Sequence, residues 1–284
     1  MIVNLAPLTQ ALLRRLATGA AALLISAPLM AQFSWLPDSW QPSQLELGAG
    51  LGAQAVNDWR GSGENQVNAL PLPYINYQSD FLELSPDAAK GRLVSNERFE
   101  FSISADVSYT EDSRNNPLRD GMQPLSPTFE LGPSLEYNLT GADRDRGWEV
   151  RLPLRAVFAV DMPDVQQVGW IANPKLTWRN PELLTDAEVQ FDVGLVWADT
   201  EYNSYIYGVP VADAQPGRPA FDAKSGYGGS FVKLGYERRS GPWWFKLTAR
   251  YDYLGGTAND NSPLFETNDY FVVNAGVARV FWSY

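Results

Sequence analysis

Apolar and polar residues alternate along most of this chain. Phe99, Phe101, Ile103, Ala105, Val107 and Tyr109 are interleaved with Arg98, Glu100, Ser102, Ser104, Asp106 and Ser108. Successive side chains of a strand point to opposite faces, so a period of two predicts a strand with one apolar and one polar face. The same period runs through 129–138, 148–159, 170–179, 187–197, 232–237 and 243–253. Leu45 to Val56 opens the series, with Leu45, Leu47, Ala49, Leu51 and Ala53 opposite Glu46, Gly48, Gly50, Gly52 and Gln54. Glycines on the polar face leave room for long neighbours in a narrow lumen. Val67 to Tyr77 is a second strand in spite of Pro71 and Pro73, and Phe81 to Leu84 with Arg92 to Ser95 make an ill-defined third. Tyr205 to Val209 reads as a short strand. In the last stretch, Asp269 to Tyr284, one face is apolar almost to the end, through Val272, Gly276, Ala278, Val280, Trp282 and Tyr284, while Arg279 sits on the other. The count is twelve strands, with ten as the alternative if the region 66–110 or the Tyr205 strand is miscounted.

Alternation alone fits two architectures. A soluble sandwich buries the apolar face, whereas a transmembrane barrel turns it toward lipid and the polar face toward its lumen. Strands of about ten residues with Trp and Tyr near the ends of the apolar face favour the barrel. A terminal aromatic preceded by apolar residues at alternate positions resembles the assembly signal of bacterial outer-membrane barrels, and Trp282 and Tyr284 carry it here. Residues 1–31 have the form of a secretory signal, with Arg14 and Arg15, an apolar alanine-rich run from Leu16 to Leu29, and Ala31 before a cut at Gln32. That run falls short of the roughly 20 residues a spanning helix needs. The expected organisation is a signal peptide at 1–31, a periplasmic lead-in at 32–43, and an all-β, antiparallel up-and-down transmembrane barrel at 44–284, exported to the outer membrane of a Gram-negative cell. With both ends periplasmic, loops at 57–65, 85–96, 140–147, 180–186, 210–226 and 255–268 lie outside, and turns at 78–80, 160–165, 200–203 and 239–242 inside. Glu111 to Ser126 falls on the periplasmic side as a long Pro- and Asp-containing connection, which is either a contact surface for a periplasmic partner or the mark of a register shifted by one strand.

Composition narrows the chemistry. The chain has 284 residues, 22 basic and 33 acidic, for a net charge of -11. No basic stripe is available to neutralise phosphates, so nucleic acid is not an expected partner. The absence of cysteine suits an oxidising compartment. The absence of histidine removes the usual general base, the Ser-His and Asp-His constellations and the ordinary zinc ligands. No cofactor is expected.

Charges on the polar faces follow one another by strand. Acids at Glu100, Asp106, Glu130 and Glu136 precede bases at Arg151, Arg155, Lys175 and Arg179; then come Glu188 and Asp192, and then Lys233, Lys246 and Arg250. Opposite signs on neighbouring strands would make ion-pair ladders, so a structural charge network is the plainer expectation and a selective pore the sharper one. Asp143 with Asp145, and Asp260 with Asp269, are the loop carboxylate pairs, and neither has calcium-loop spacing. Catalysis is not expected.

Six stretches together resemble the MipA/OmpV family, the MltA-interacting outer-membrane proteins: Asn57 to Ser62, Leu70 to Tyr77, Glu130 to Tyr137, Tyr205 to Val209, Arg218 to Ala223 and Asp260 to Leu264. In order and spacing they cover about residues 44 to 284. The resemblance implies a non-enzymatic outer-membrane barrel with lipid and the barrel-assembly machinery as partners. It further implies a scaffold joining a lytic transglycosylase to a penicillin-binding protein, with porin-like and adhesin roles described for other members.

Overall fold

In the computed structural model the described residues are 36–284, without 87, 109–112, 114–115, 142–145, 162 and 185–186. The expected signal peptide, residues 32–35 of the lead-in, Tyr109, Asp143 and Asp145 lie outside them. The N-terminal unit, which ends at Gln41, shows a single 3-10 turn, Asp38–Trp40.

The second unit, Pro42–Tyr284, is built on one sheet that closes on itself. Its strands are β1 (Gln44–Asn57), β2 (Asn65–Gln78), β3 (Leu82–Ser85), β4 (Ala88–Ser95), β5 (Phe99–Ser108), β6 (Thr128–Asn138), β7 (Gly147–Asp161), β8 (Asp164–Ala172), β9 (Lys175–Leu184), β10 (Ala187–Ala198), β11 (Gly226–Ser240), β12 (Trp243–Tyr253) and β13 (Asp269–Ser283). All pairings are antiparallel, and β1 pairs with β13 to close the circle. β8 pairs with Leu154–Asp161 of β7 and β9 with Gly147–Arg151 of the same strand, so the two are halves of one stave broken at Asn173 and Pro174. The break costs little pairing, because Asn173 still donates to the Pro153 carbonyl and Leu195 to that of Pro174. The result is a closed antiparallel barrel of twelve staves.

That number equals the sequence count for a reason that involves two corrections. Phe81 to Leu84 and Arg92 to Ser95 belong to two strands, the hairpin β3–β4. Tyr205 to Val209 is not a strand: α1 spans Thr200–Tyr207. One stave gained and one lost leave twelve.

Exposure settles the choice between sandwich and barrel. Leu234, Phe245, Leu247 and Val273 are exposed, whereas Glu100, Thr177, Asp192 and Asp252 are buried to 2% exposure or less. A soluble sandwich would show the reverse. In β13 the phase that is apolar to the last residue points inward, and Phe271, Val273, Ala275, Arg279 and Phe281 face out. The inward glycines of β1 relieve backbone rather than side chains: a methyl at Gly50 would collide with the Val277 carbonyl, and one at Gly48 would come within 2.5 Å of that of Arg279. They let β1 and β13 approach at the closing seam.

Strand direction sorts the connections onto two rims. The strand ends that lead from β1 to β2, β3 to β4, β5 to β6, β7 to β8, β10 to β11 and β12 to β13 point to one; those from β2 to β3, β4 to β5, β6 to β7, β9 to β10 and β11 to β12 point to the other. Glu111 to Ser126 therefore shares a rim with the other long loops, and the rim expectations for 140–147, 160–165, 180–186 and 200–203 are reversed.

Candidate functional site: a capped and ion-paired lumen

On the long-loop rim the connections interlock. Trp59 donates its indole N–H to the Leu264 carbonyl at 2.9 Å, and Ser262 donates its hydroxyl to the Tyr207 carbonyl at 2.7 Å. Asn116 donates to Asp58 at 2.8 Å and to Ser62 at 3.2 Å. Arg218 fans out to the carbonyls of Leu118 at 2.7 Å, Asp120 at 2.9 Å and Asp213 at 2.9 Å. Val209 and Phe221 exchange backbone bonds, and the Glu266 backbone amide donates to the Gly61 carbonyl at 2.8 Å. Gly61 has φ +96°, and a side chain there would meet the Phe265 ring at 2.7 Å. Trp59, Leu125, Ile206, Tyr207 and Ala223 form the buried apolar centre of this cap.

α1 is the cap's keystone. Asp199 caps it by accepting from the Tyr202 amide at 2.8 Å, and it ends at Gly208. Gly169 of β8 has φ +134°, and any side chain there would collide with the Tyr202 amide. Tyr202 and Tyr205 pack downward on a shelf of Val157, Ala159, Val168, Ile171, Val196, Ala198 and Phe231, while Ile206 and Tyr207 join the cap centre. Ser126 donates its amide to the Tyr205 hydroxyl at 2.7 Å, which ties in the 109–127 connection.

Arg119 shows how firmly the loops are packed. It is 6% exposed, lies over the Trp59 ring at 5.7 Å and donates to the Ile206 carbonyl at 2.9 Å. Burial, with Arg218 nearby, pulls its guanidinium down to about 10.

Beneath the cap lies a cavity of about 600 Å³, counting its mouth, walled by Trp59, Tyr202, Tyr207, Tyr227, Tyr270 and Asn259. Burial pushes the Tyr207 phenol up to about 12, so its hydroxyl stays neutral. Arg60 forms one side of the cavity. It is ion-paired with Asp252, donates to the Gly228 carbonyl at 2.7 Å and sits over the Tyr270 ring at 5.6 Å.

Beside and below the cavity, the inward charges meet both within strands and across them. Lys90 reaches Glu100 at 2.8 Å and Glu136 at 3.5 Å. Arg151 reaches Glu149 at 2.9 Å and Glu136 at 3.8 Å, and Arg179 lies 3.9 Å from Glu149. Arg155 bridges Glu130 at 3.2 Å and Asp106 at 3.3 Å. Lys175 pairs with Asp192 at 3.4 Å, and Arg250 with Asp252 at 2.6 Å. Lys246 pairs with Glu237 at 3.0 Å and shares a smaller space of about 320 Å³ with Glu188 and Lys233. Sequence reasoning missed Glu83, Lys90 and Arg92, although Lys90 and Arg92 show the same period of two, because their hairpin was not resolved into strands. It also missed Arg60, Arg119 and Arg218, which lie in loops where no period exists. Asp269 accepts from the Tyr251 hydroxyl at 2.7 Å. Among the described residues no group of three or more acidic side chains is placed to hold a metal ion.

The family described as MltA-interacting protein MipA matches residues 49–281. The chain belongs to the MipA family. Four of the six stretches that carry the resemblance, at 57–62, 205–209, 218–223 and 260–264, are the segments that meet in the cap, so this family's signature here is largely a loop closure. No curated protein matches the chain. Among solved structures, the translocator domain of autotransporter NalP from Neisseria meningitidis is 10% identical, with 93% of this chain and 98% of that one covered and a TM-score of 0.38. A porin is 8% identical over 84% and 100%, with a TM-score of 0.32. CarO of Acinetobacter baumannii is 10% identical over 86% and 100%, with a TM-score of 0.23. The barrel assignment for this MipA-family chain rests on its own strand ladders.

Proposed function

We propose that this chain is an outer-membrane barrel of a Gram-negative cell that works by binding rather than by conduction. In this reading it is a scaffold that brings a lytic transglycosylase and a penicillin-binding protein together, with lipid and the barrel-assembly machinery as its other partners. The observation that carries the binding reading is the cap, in which four long connections are spent on closing one mouth over an ion-paired lumen. The family's description as MltA-interacting supports the class of partner. Long connections of such barrels face outward and short turns face the periplasm. The surface offered to cell-wall enzymes is then the short-turn rim, at residues 96–98 and 241–242, and not the 111–126 connection. A photo-crosslinker at the exposed Glu97 in intact cells should capture a lytic transglycosylase or a penicillin-binding protein; capture of assembly factors alone would sink the scaffold. A porin-like channel is the second reading, favoured by the charged lumen, and steady single-channel current from the folded protein would establish it.

A further inference from the structure

The cavity beneath the cap belongs neither to the short-turn rim nor to the ion-paired part of the lumen. Counting its mouth it measures about 600 Å³, within the range of roughly 300–1,000 Å³ that small-molecule sites occupy. Its wall brings together Trp59 from the connection ahead of β2, Tyr202, Asn203 and Tyr207 of α1, and Thr257 from the connection ahead of β13.

Asn203 carries the first polar clue. It is 3% exposed, and its amide nitrogen donates to the carbonyls of Lys224 at 2.7 Å and Ala198 at 3.5 Å. Two carbonyl partners fix which end of the carboxamide is nitrogen. The oxygen is therefore the end left to the cavity, and among the described residues nothing donates to it. The hydroxyls of Tyr202 and Thr257 line the same space and likewise have no hydrogen-bond partner among the described residues. Each can donate or accept by turning its O–H. Burial pushes the Tyr202 phenol up, so it stays a neutral hydroxyl.

The charges at the border are already engaged. Asp58 accepts from Gln66 at 2.7 Å and from Asn116 at 2.8 Å, while Arg60 is ion-paired with Asp252 and donates to the Gly228 carbonyl. A charged guest would give up its water without gaining a free counter-charge. An apolar guest would leave Asn203, Tyr202 and Thr257 unmatched. The wall suits an uncharged ring with hydroxyls around its edge, which meet those three groups, and C–H groups on its face, which meet the rings of Trp59 and Tyr207.

We propose that the cavity under α1 binds an uncharged sugar ring through Asn203, Tyr202 and Thr257. The site lies at the long-loop mouth, so it adds a ligand to the scaffold reading without depending on it, and capture at Glu97 tests that reading separately. The test is saturation-transfer difference NMR on the full folded barrel in lauryldimethylamine oxide micelles, which contain no sugar. D-glucose, D-galactose and N-acetyl-D-glucosamine are the neutral probes, and protonated D-glucosamine and D-glucuronate are their charged counterparts. Tyr202→Phe and Thr257→Val each remove one hydroxyl and keep the bulk of the side chain; they lie in different segments, and heat-modifiable migration shows that each is folded. Transfer from at least one neutral sugar, stronger than from either charged one and with affinity weakened about tenfold in a folded variant, supports the site. No transfer from any neutral sugar overturns the proposal. Equal or stronger transfer from a charged counterpart overturns it too, as does an affinity that neither variant changes, which would place the sugar elsewhere.

Discussion

At the residue scale, two kinds of position hold this molecule together, and they respond to different substitutions. Gly50 and Gly52 look alike in the sequence, both on the inward face of β1. A methyl at Gly50 would strike the Val277 backbone, whereas at Gly52 the nearest atoms are 3.9 Å away. Backbone cannot move aside as a side-chain tip can, so Gly50→Ala should prevent closure of the β1–β13 seam, and Gly52→Ala should be tolerated within about 0.5 kcal/mol. Heat-modifiable migration of the purified barrel distinguishes the two; equal behaviour would refute the seam argument. Arg218 is the second kind. Arg218→Met keeps the apolar stem and leaves the carbonyls of Leu118, Asp120 and Asp213 without their shared donor. The cost should be about 2–4 kcal/mol, borne by the cap. Limited proteolysis should then cut within 117–121 or 211–217 while the strands stay intact.

At the scale of elements, the helix decides how the loops sit. Asp199→Ala removes the cap of α1 and should cost about 1 kcal/mol, visible as faster proteolysis of the 199–225 connection with unchanged barrel migration. No change in cleavage rate would mean that tertiary packing of Tyr202 and Tyr205 alone holds the helix. This helix also marks the limit of what alternation could reveal. Tyr205, Tyr207 and Val209 repeat every two residues and so read as a strand, although Asp199 before Thr200–Tyr207 and Gly208 after it are helix-boundary signals that the period concealed. The β3–β4 hairpin hid for a different reason: four residues in β3 are too few to show a period. Those two elements set the rims. The hairpin adds a stave before β5 and the helix removes one after β10, so every connection between them was expected on the wrong rim, while 57–65, 210–226, 239–242 and 255–268 fell correctly. The wall itself was legible because lipid-facing and lumen-facing positions differ in chemistry at every second residue. The cap was not, because irregular loops carry no period and the contacts between Trp59 and Leu264 or Arg218 and Leu118 join segments far apart in sequence.

At the scale of the whole molecule, interlocked loops cover a lumen in which an apolar shelf under α1 stands beside paired charges, Val157 being the ladder partner of Glu130 and Phe231 that of Asp252. A solute would have to pass the cap and then run between the shelf and the charges. Paired charges of both signs offer neither anions nor cations a continuous path of one polarity, and the shelf opposes wetting beside them. The intact protein should therefore be silent in planar bilayers. Which layer seals it can be separated, because Ala198 and Gly226 are ladder partners across β10 and β11. Residues 199–225 can be replaced by a short Asn-Gly turn without altering the wall. That variant loses α1, the Arg218 contacts and the side chains that roof the shelf, yet keeps every ion pair of the lower lumen. If the cap is the seal, the shortened barrel conducts while the intact one does not, and the long loops close the passage while enzyme binding is left to the short-turn rim. If the shortened barrel migrates as folded and still passes no current, the ion ladders are the seal. Steady current through the intact protein would contradict both and return the porin-like reading to first place.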